Sequence, residues 1–354
     1  MGQALALAAR ARGRTAPNPM VGAVLVRDGA VVGAGFHTRA GQPHAEVEAL
    51  ADARGGAAGA TLYVNLEPCC HHGRTPPCTE AVIAAGVRRV VVGMVDPDPR
   101  MQGRGIAQLR AAGIEVVVGV LEAEALALNA GFVRARTAGR PQVVLKAAIS
   151  LDGRISDAGG RSQWITGAAA RAAGRALRDQ CDAVMVGSQT VLDDDPALTT
   201  RIEGGRDALP VILDGRLRTP PTAQVLRAGR PPLIFTAPDA DPAQEQALAP
   251  ARLRRVPRGP GGLDLHAVLG ALVDEGVHTV LVEGGGAVHH SLLSAGLVDE
   301  LRLFLAPRVL AGGRHWVEGA PFSLAEGPRF RLVELRQHGD DLELRYQPAA
   351  PGPT

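Results

Sequence analysis

Four residues in the first quarter of the chain form a set that could do chemistry: His44, Glu46, Cys69 and Cys78. They stand in two short segments, Pro43-His44-Ala45-Glu46 and Glu67-Pro68-Cys69-Cys70-His71-His72-Gly73-Arg74-Thr75-Pro76-Pro77-Cys78. One imidazole and two thiolates make a three-ligand zinc set. Three protein ligands leave the fourth tetrahedral position open for water, the mark of a catalytic rather than a structural ion. Zinc lowers the pKa of a bound water to about 7. Glu46 is suited to take that proton and hand it to a leaving group. On residue type alone, Cys69 and Cys70 compete for one ligand position. Cys70, His71 or His72 could also close the site as a structural centre, but a closed site leaves Glu46 unexplained.

The elements around these residues must bring them together. Helices are expected over 45–54 and 79–85, so His44 and Cys78 each stand just before a helix, behind Pro43 and Pro77. Proline stiffens the approach to a helix start, and a helix amino end favours a thiolate. Two residues of a regular helix diverge by about 200°. His44 and Glu46 can therefore converge only if His44 lies at the helix entry. Around this core the first part alternates strand and helix: helix 4–12, strands 21–27 and 31–36, strand 61–65, strand 89–95, helix 105–112, strand 115–120 and helix 123–136. Asp28-Gly29 between the first two strands is a hairpin signal. The pattern predicts one α/β sheet with helices on its faces.

Thr137-Ala138-Gly139-Arg140-Pro141 breaks the pattern and sets the expected boundary between a domain over 1–139 and a second over 140–347. In the second, strands are expected at 143–148, 183–186, 210–213, 233–236, 279–282 and 301–305. Helices are expected at 168–178, 265–275 and 287–295, with a terminal hairpin over 329–336 and 341–346. The tail 348–354 is expected to be disordered. Gly284-Gly285-Gly286 lies between a strand and a helix, where backbone N–H groups can approach a pyrophosphate. The Rossmann fingerprint GxGxxG does not follow this strand. Lys146 is the only lysine in the chain. A survivor among so many arginines suggests a site that needs a compact ammonium and not a planar fork.

Composition narrows the classes. A length of 354 residues suits two domains. The charge of +2 and the 3% aromatic content argue against a nucleic-acid surface. No apolar run reaches bilayer-spanning length, and the amino end lacks a signal-peptide pattern. Clustered cysteines without a secretory signal read as metal binding, and a cytoplasmic location is expected.

Asn18-Pro19-Met20-Val21-Gly22-Ala23-Val24, then His44-Ala45-Glu46-Val47, then the segment from Glu67 to Cys78, resemble the zinc nucleoside and nucleotide deaminases, which use such a glutamate as acid/base. Eight residues separate Cys69 from Cys78 where most of that superfamily has two. The long insert is similar to the deaminase domain of the bifunctional riboflavin-biosynthesis deaminase–reductases. The resemblance implies that His44, Cys69 and Cys78 bind one zinc ion and that Glu46 shuttles the proton. It implies that Asn18, His37, His71 and Arg74 contact substrate. Cys70 falls where the family usually has serine, so it is not counted as a ligand. Glu48 departs from the family, which commonly has histidine there, and is read as lying just behind the site.

The second part resembles the reductase domain of the same family, whose fold is like dihydrofolate reductase. The match runs through Lys146-Ala147-Ala148-Ile149-Ser150-Leu151-Asp152-Gly153-Arg154, Ser162-Gln163-Trp164-Ile165-Thr166, the stretch from Gly187 to Thr199, and Val282-Glu283-Gly284-Gly285-Gly286-Ala287-Val288-His289. It implies that Ala148, Trp164, Thr190, Asp194 and the loop Gly284, Gly285, Gly286, Ala287, Val288, His289, His290 and Ser291 hold NADPH. It implies that Lys146, Ser162, Arg178, Leu198, Arg201 and Glu283 hold substrate, Arg178 and Arg201 suiting a sugar phosphate. The match is weakest over 201–263, which is expected to be peripheral. Gly215 falls where some relatives have serine and is left out.

The resemblance thus implies a bifunctional enzyme. One domain deaminates 2,5-diamino-6-ribosylamino-4(3H)-pyrimidinone 5′-phosphate, and the other reduces its ribosyl group to ribityl with NADPH. The partner is a small molecule, with no nucleic acid or membrane, and the family implies a homodimer through the reductase domain. The alternatives are an RNA-editing deaminase with an accessory domain, or a zinc-stabilised module without activity. A chain with one inactive half is a third.

Overall fold

The computed structural model describes residues 1–72 and 76–349. The chain divides into two compact units, Met1–Gly139 and Arg140–Thr354. In the first, α1 (Gly2–Ala9) leads to β1 (Gly22–Arg27), β2 (Ala30–Phe36), α2 (Ala45–Asp52), β3 (Thr61–Leu66), α3 (Cys78–Ala84), β4 (Arg89–Met94), α4 (Arg104–Ala111), β5 (Glu115–Val118), α5 (Glu122–Leu128) and α6 (Ala130–Ala138). The sheet runs β2-β1-β3-β4-β5. β1 is antiparallel to β2 and β3, whereas β3, β4 and β5 are parallel. Asp28 and Gly29 have φ of +50° and +78°, the left-handed pair that matches a tight hairpin to strand twist. Leu62, Val64, Val90 and Val92 are wholly buried, as expected of parallel strands covered on both faces. α2 lies close on β2 because Gly33 has no side chain; a Cβ there would stand 2.3 Å from the Ala49 carbonyl oxygen.

The single helix expected over 123–136 is two helices. Asn129 interrupts it because its side chain is drawn to the chain just ahead of β1. Its Oδ1 accepts from the Met20 N–H at 2.8 Å and its Nδ2 donates to the Met20 carbonyl at 3.0 Å. The break is therefore a tertiary effect and not a propensity failure.

The second unit contains β6 (Gln142–Ser150), α7 (Ala168–Gln180), β7 (Ala183–Gly187), α8 (Ser188–Asp194), β8 (Leu209–Leu213), β9 (Leu233–Thr236), α9 (Pro242–Glu245), β10 (Arg252–Arg255), β11 (Arg258–Gly259), β12 (Gly262–Leu263), α10 (Leu265–Asp274), β13 (Thr279–Val282), α11 (Gly286–Ser294), β14 (Glu300–Ala306), β15 (Phe330–His338) and β16 (Asp341–Pro348). Nine strands form one sheet in the order β10-β9-β8-β7-β13-β6-β14-β16-β15. It is parallel from β10 to β14, and β16 and β15 add an antiparallel edge. Separate apolar clusters cover its two faces, one around Val143, Leu145 and Leu269, the other around Val144, Val184 and Phe304. This is the mixed α/β architecture with terminal hairpin that the strand pattern predicts.

The stretch 201–263 is not peripheral. It supplies β8, β9 and β10, and Leu209, Val211, Ile212, Leu233, Ile234 and Phe235 are at most 2% exposed. Its short apolar runs are strands buried on both sides, which read weakly because they lack alternation. Residues 350–354 of the expected disordered tail lie outside the described residues.

Candidate active sites

In the first unit His44 is the N-cap of α2, with extended φ/ψ of −77° and 163°. It therefore sits outside the helical turn, as convergence with Glu46 requires. Cys78 is the first residue of α3, behind Pro77. Cys69 lies on the loop leaving β3. His44 Nδ1 stands 3.2 Å from Cys78 Sγ and 3.5 Å from Cys69 Sγ. All three ligand atoms lie within 4.8 Å of one another. A tetrahedral zinc with bonds of about 2.0 Å to nitrogen and about 2.3 Å to sulfur spaces its ligand atoms by about 3.5 Å, so the donor set fits that ion.

The electrostatics agree. Cys69 is drawn down to about 4, chiefly by its hydrogen bond with Cys78; burial opposes, and His44 adds to the effect. Cys78 is pushed up by the same bond and by burial. One proton is shared between two thiols, and it is the proton that a divalent cation displaces. Cys70 takes no part: its Sγ faces Met101 Sδ at 3.8 Å. Glu46 is 3% exposed, and burial, then the Cys69 thiolate, raises it to about 7.

The triad opens on a cavity of about 350 Å³ whose wall includes Asn18, His37, Glu46, His71, Met101 and Arg136. His37 Nδ1 lies 3.0 Å from the Pro43 carbonyl oxygen, which can only accept, so Nδ1 carries the proton. His37 Nε2 then accepts from Asn18 Nδ2 at 3.0 Å. Burial lowers the His37 pKa and keeps the ring neutral. That relay fixes the amide of Asn18, a residue of the cavity wall. His71 is exposed and its Nδ1 approaches Met101 Sδ at 3.2 Å. Arg74 lies outside the described residues. Glu48 does not reach the cavity; it packs on β2, where a Cβ on Gly35 would stand 2.5 Å from its own Cβ.

Glu67, unassigned by the sequence, is the anchor of the Cys69 loop. Its buried carboxylate accepts from the N–H groups of Asp96, Gly103, Gly105 and Ile106 at 2.8 to 3.3 Å. These include orphan donors at the start of α4, where a negative charge is favoured. Gly105 lets α4 close on the loop; a Cβ there would stand 2.1 Å from the Pro68 carbonyl oxygen. The only sequence signal was an acidic residue immediately before Pro68.

In the second unit a cavity of about 460 Å³ brings together Lys146, Ala148, Ser162, Trp164, Arg178, Thr190, Asp194, Leu198, Arg201, Glu283, Gly285 and His289. Glu283 follows β13, beside Lys146 on β6. Arg178 of α7 makes a two-pronged ion pair with it, Nε to Oε1 at 2.7 Å and Nη2 to Oε2 at 2.9 Å. Lys146 Nζ stands 3.9 Å from Glu283 Oε2. Burial would raise Glu283, but Arg178 and then Lys146 outweigh it and hold the carboxyl at about 2.

Arg178 also donates to the Thr199 carbonyl at 2.8 Å. Its guanidinium thus engages Glu283 and the 198–201 segment while the residue lines the cavity. Leu198 and Arg201 have φ of +54° and +53°, left-handed conformations that cost of order 1–3 kcal/mol each for such residues. Arg178 and the bond from the Thr200 N–H to Asp207 hold that turn.

Ser162 Oγ donates to Asp194 Oδ1 at 2.6 Å, and the half-exposed Trp164 ring carries the Arg171 guanidinium 4.7 Å from its centre. Arg171 and Arg175 line the cavity without having been singled out. With Arg178 they fall at i, i+4 and i+7 of α7, a helical stripe legible in the sequence. Of the expected dinucleotide loop, Gly285 and His289 form cavity wall. Gly284 packs on the Val186 backbone, Gly286 on Glu318, and Val288 on Gly187. His290 stacks on Phe322, and Ser291 bonds back to the Ala287 carbonyl. Gly285 is the N-cap of α11 at a positive φ of +44°, and a Cβ on it would stand 3.4 Å from Thr190 Oγ1. A cradle of bare backbone beside a hydroxyl and a cationic wall fits an anionic dinucleotide.

Comparison with known proteins agrees with both halves. The family model of the cytidine and deoxycytidylate deaminase zinc-binding region matches residues 1–94, and that of the RibD C-terminal domain matches 141–344. The chain is 42% identical to riboflavin biosynthesis protein RibD of Escherichia coli (strain K12), over 97% of both chains. It superposes on Acinetobacter baumannii RibD with a TM-score of 0.90 at 39% identity, covering 99% of this chain and 98% of that one. A Thermotoga maritima diaminohydroxyphosphoribosylaminopyrimidine deaminase/5-amino-6-(5-phosphoribosylamino)uracil reductase superposes with a TM-score of 0.88 at 35% identity, covering 99% and 97%. By these matches over nearly its whole length, the chain belongs to the RibD family of riboflavin-biosynthesis proteins.

Proposed function

We propose that residues 1–139 deaminate 2,5-diamino-6-ribosylamino-4(3H)-pyrimidinone 5′-phosphate and residues 140–347 reduce its ribosyl group to ribityl. The enzyme is a zinc deaminase joined to an NADPH reductase. His44, Cys69 and Cys78 hold the zinc, which supplies an activated water when bound. Glu46 accepts a proton and delivers it to the departing ammonia; a carboxyl raised to about 7 can do both at neutral pH. The Asn18–His37 relay orients the pyrimidine, with His71 and Arg74 completing the substrate set. In the second unit Ala148, Trp164, Thr190, Asp194 and the Gly284–Ser291 loop hold NADPH, which supplies the hydride. Lys146, Ser162, Arg178, Leu198, Arg201 and Glu283 hold the sugar phosphate, and Arg178 also positions Glu283.

The observation that carries this reading is a buried Glu46 at the mouth of a His-Cys-Cys triad. An RNA-editing deaminase or an inert zinc module leaves the second cavity without a role. A homodimer through the second unit belongs to the same proposal. Its support is β15, which ends the nine-stranded sheet and leaves Leu332, Val333 and Leu335 exposed. A cytoplasmic location is also proposed, on the need of the zinc thiolates for a reducing compartment; among the described residues no helix is long and apolar enough to cross a membrane.

The test is incubation with the diaminopyrimidinone phosphate, with and without NADPH. Ammonia is expected in both cases, and NADPH oxidation only after deamination. Glu46→Gln is expected to lower ammonia release by about 10²- to 10⁴-fold, while NADPH oxidation on already deaminated substrate persists. Ammonia release at the full rate in that variant sinks the assignment.

A further inference from the structure

The chain between α8 and β8 turns at Leu198–Arg201, and both outer members of that turn are left-handed. Leu198 has φ of +54° and Arg201 of +53°, a region that side chains with a β-carbon rarely adopt. Both residues form wall of the reductase cavity, whereas Thr199 and Thr200 between them do not. The polar groups of this inner pair are bonded instead to the surrounding protein. The Thr199 carbonyl accepts from Arg178 Nη1 at 2.8 Å. Thr200 Oγ1 donates to the Arg175 carbonyl of α7 at 3.2 Å. The Thr200 N–H donates to Asp207 Oδ1 at 2.7 Å.

The base of this bracket is rigid. Asp207 stands immediately before Ala208 and Leu209, which are 1% and 2% exposed and lead into β8. Gly229 closes the back of the turn: a Cβ on it would stand 3.0 Å from Asp207 Oδ2 and 3.3 Å from Thr199 Cγ2. Strained backbone persists only where its surroundings over-determine it. Here every one of the three bonds falls on the inner pair, and the strain falls on the two residues that meet the cavity. Without the bonds the turn relaxes toward ordinary φ values, and Leu198 and Arg201 leave the wall. We propose that Asp207 and Thr200 are positioning residues of the reductase, which bracket the inner pair and so press Leu198 and Arg201 against the sugar phosphate. This rests on the assignment of the cavity to reduction of that molecule. Neither residue touches it; both act through the shape of the turn.

The experiment uses the full chain and its Asp207→Ala, Asp207→Asn and Thr200→Val variants. The readouts are KM and kcat for NADPH-dependent reduction of the deaminated substrate, and NADPH affinity by fluorescence without substrate. Asp207→Ala is expected to raise KM by about tenfold. Its kcat should stay within about twofold, because Lys146 and Glu283 keep their places on the sheet. NADPH affinity should hold, since the residues expected to bind the dinucleotide lie outside the turn. Asp207→Asn keeps an oxygen at the acceptor position and should recover most of the loss. Thr200→Val removes only the hydroxyl bond to α7 and should raise KM by about threefold to tenfold; it decides the matter if Asp207→Ala does not fold. An unchanged KM in folded Asp207→Ala, or in Thr200→Val where that variant decides, overturns the proposal. So does a loss of NADPH affinity as large as the rise in KM, which marks a general loosening of the unit. Absence of NADPH-dependent reduction in the wild-type protein would instead overturn the assignment of the cavity, and the proposal with it.

Discussion

Replacing Glu283 by glutamine should destabilise the second unit by about 3 kcal/mol at pH 7, and the effect should shrink in acid. The Glu283 side chain is 10% exposed and that of Arg178 18%. Burial opposes ionisation of Glu283, yet Arg178 and Lys146 hold it at about 2, against about 4.3 for an unperturbed glutamate. A difference of somewhat over two pH units, at 1.36 kcal/mol each, gives about 3 kcal/mol. Removing one partner of a buried pair typically costs 3–5 kcal/mol, so the two routes agree. The sign follows from the depressed folded value. The contribution is complete above the unfolded pKa and is lost as pH falls through about 2. At pH 3 about half should remain. Both tryptophans, Trp164 and Trp316, lie in the second unit, so their fluorescence follows its urea unfolding alone. A difference below about 1 kcal/mol at pH 7, or an equal difference at pH 3 and pH 7, refutes the reasoning.

Cys69→Ser and Cys78→Ser should each lose zinc by metal analysis, whereas Cys70→Ser retains one equivalent because its sulfur faces Met101. Loss from Cys70→Ser would move the ligand assignment. Glu67→Gln should loosen the Cys69 loop, since one amide oxygen cannot serve four N–H groups; the cost is about 2–4 kcal/mol. Its readout is faster zinc release to a chelator, with Trp fluorescence unfolding unchanged. Lys146→Arg should lower NADPH oxidation by at least about tenfold with ammonia release intact. Unimpaired reduction in that variant would show that the lone lysine is replaceable.

Residue type and spacing were enough to reveal the metal chemistry and the class of the fold. His44, Cys69 and Cys78 are rare, reactive side chains whose spacing constrains how they can meet, and parallel strands announce themselves as β-branched runs between turn residues. Chain periodicity also placed most elements of both sheets. Contacts made across the fold were not legible, because no local pattern encodes them. The helix break at Asn129 exists only because Met20 is its partner. Glu67 is an ordinary glutamate until α4 presents its orphan N–H groups. Cys70, already set aside by the resemblance, is found with its sulfur against Met101. Arg178, read from the sequence as suiting a sugar phosphate, also pairs with Glu283, a partner no local pattern announces. His289 stood in the sequence as one member of a glycine loop. Its burial and the Trp316 carbonyl that fixes its tautomer appear only in the folded protein. The amino-acid sequence by itself determined which chemistry the chain can attempt. The tertiary structure decided which side chains are free to take part, because desolvation and hydrogen-bond pairing depend on neighbours distant in sequence.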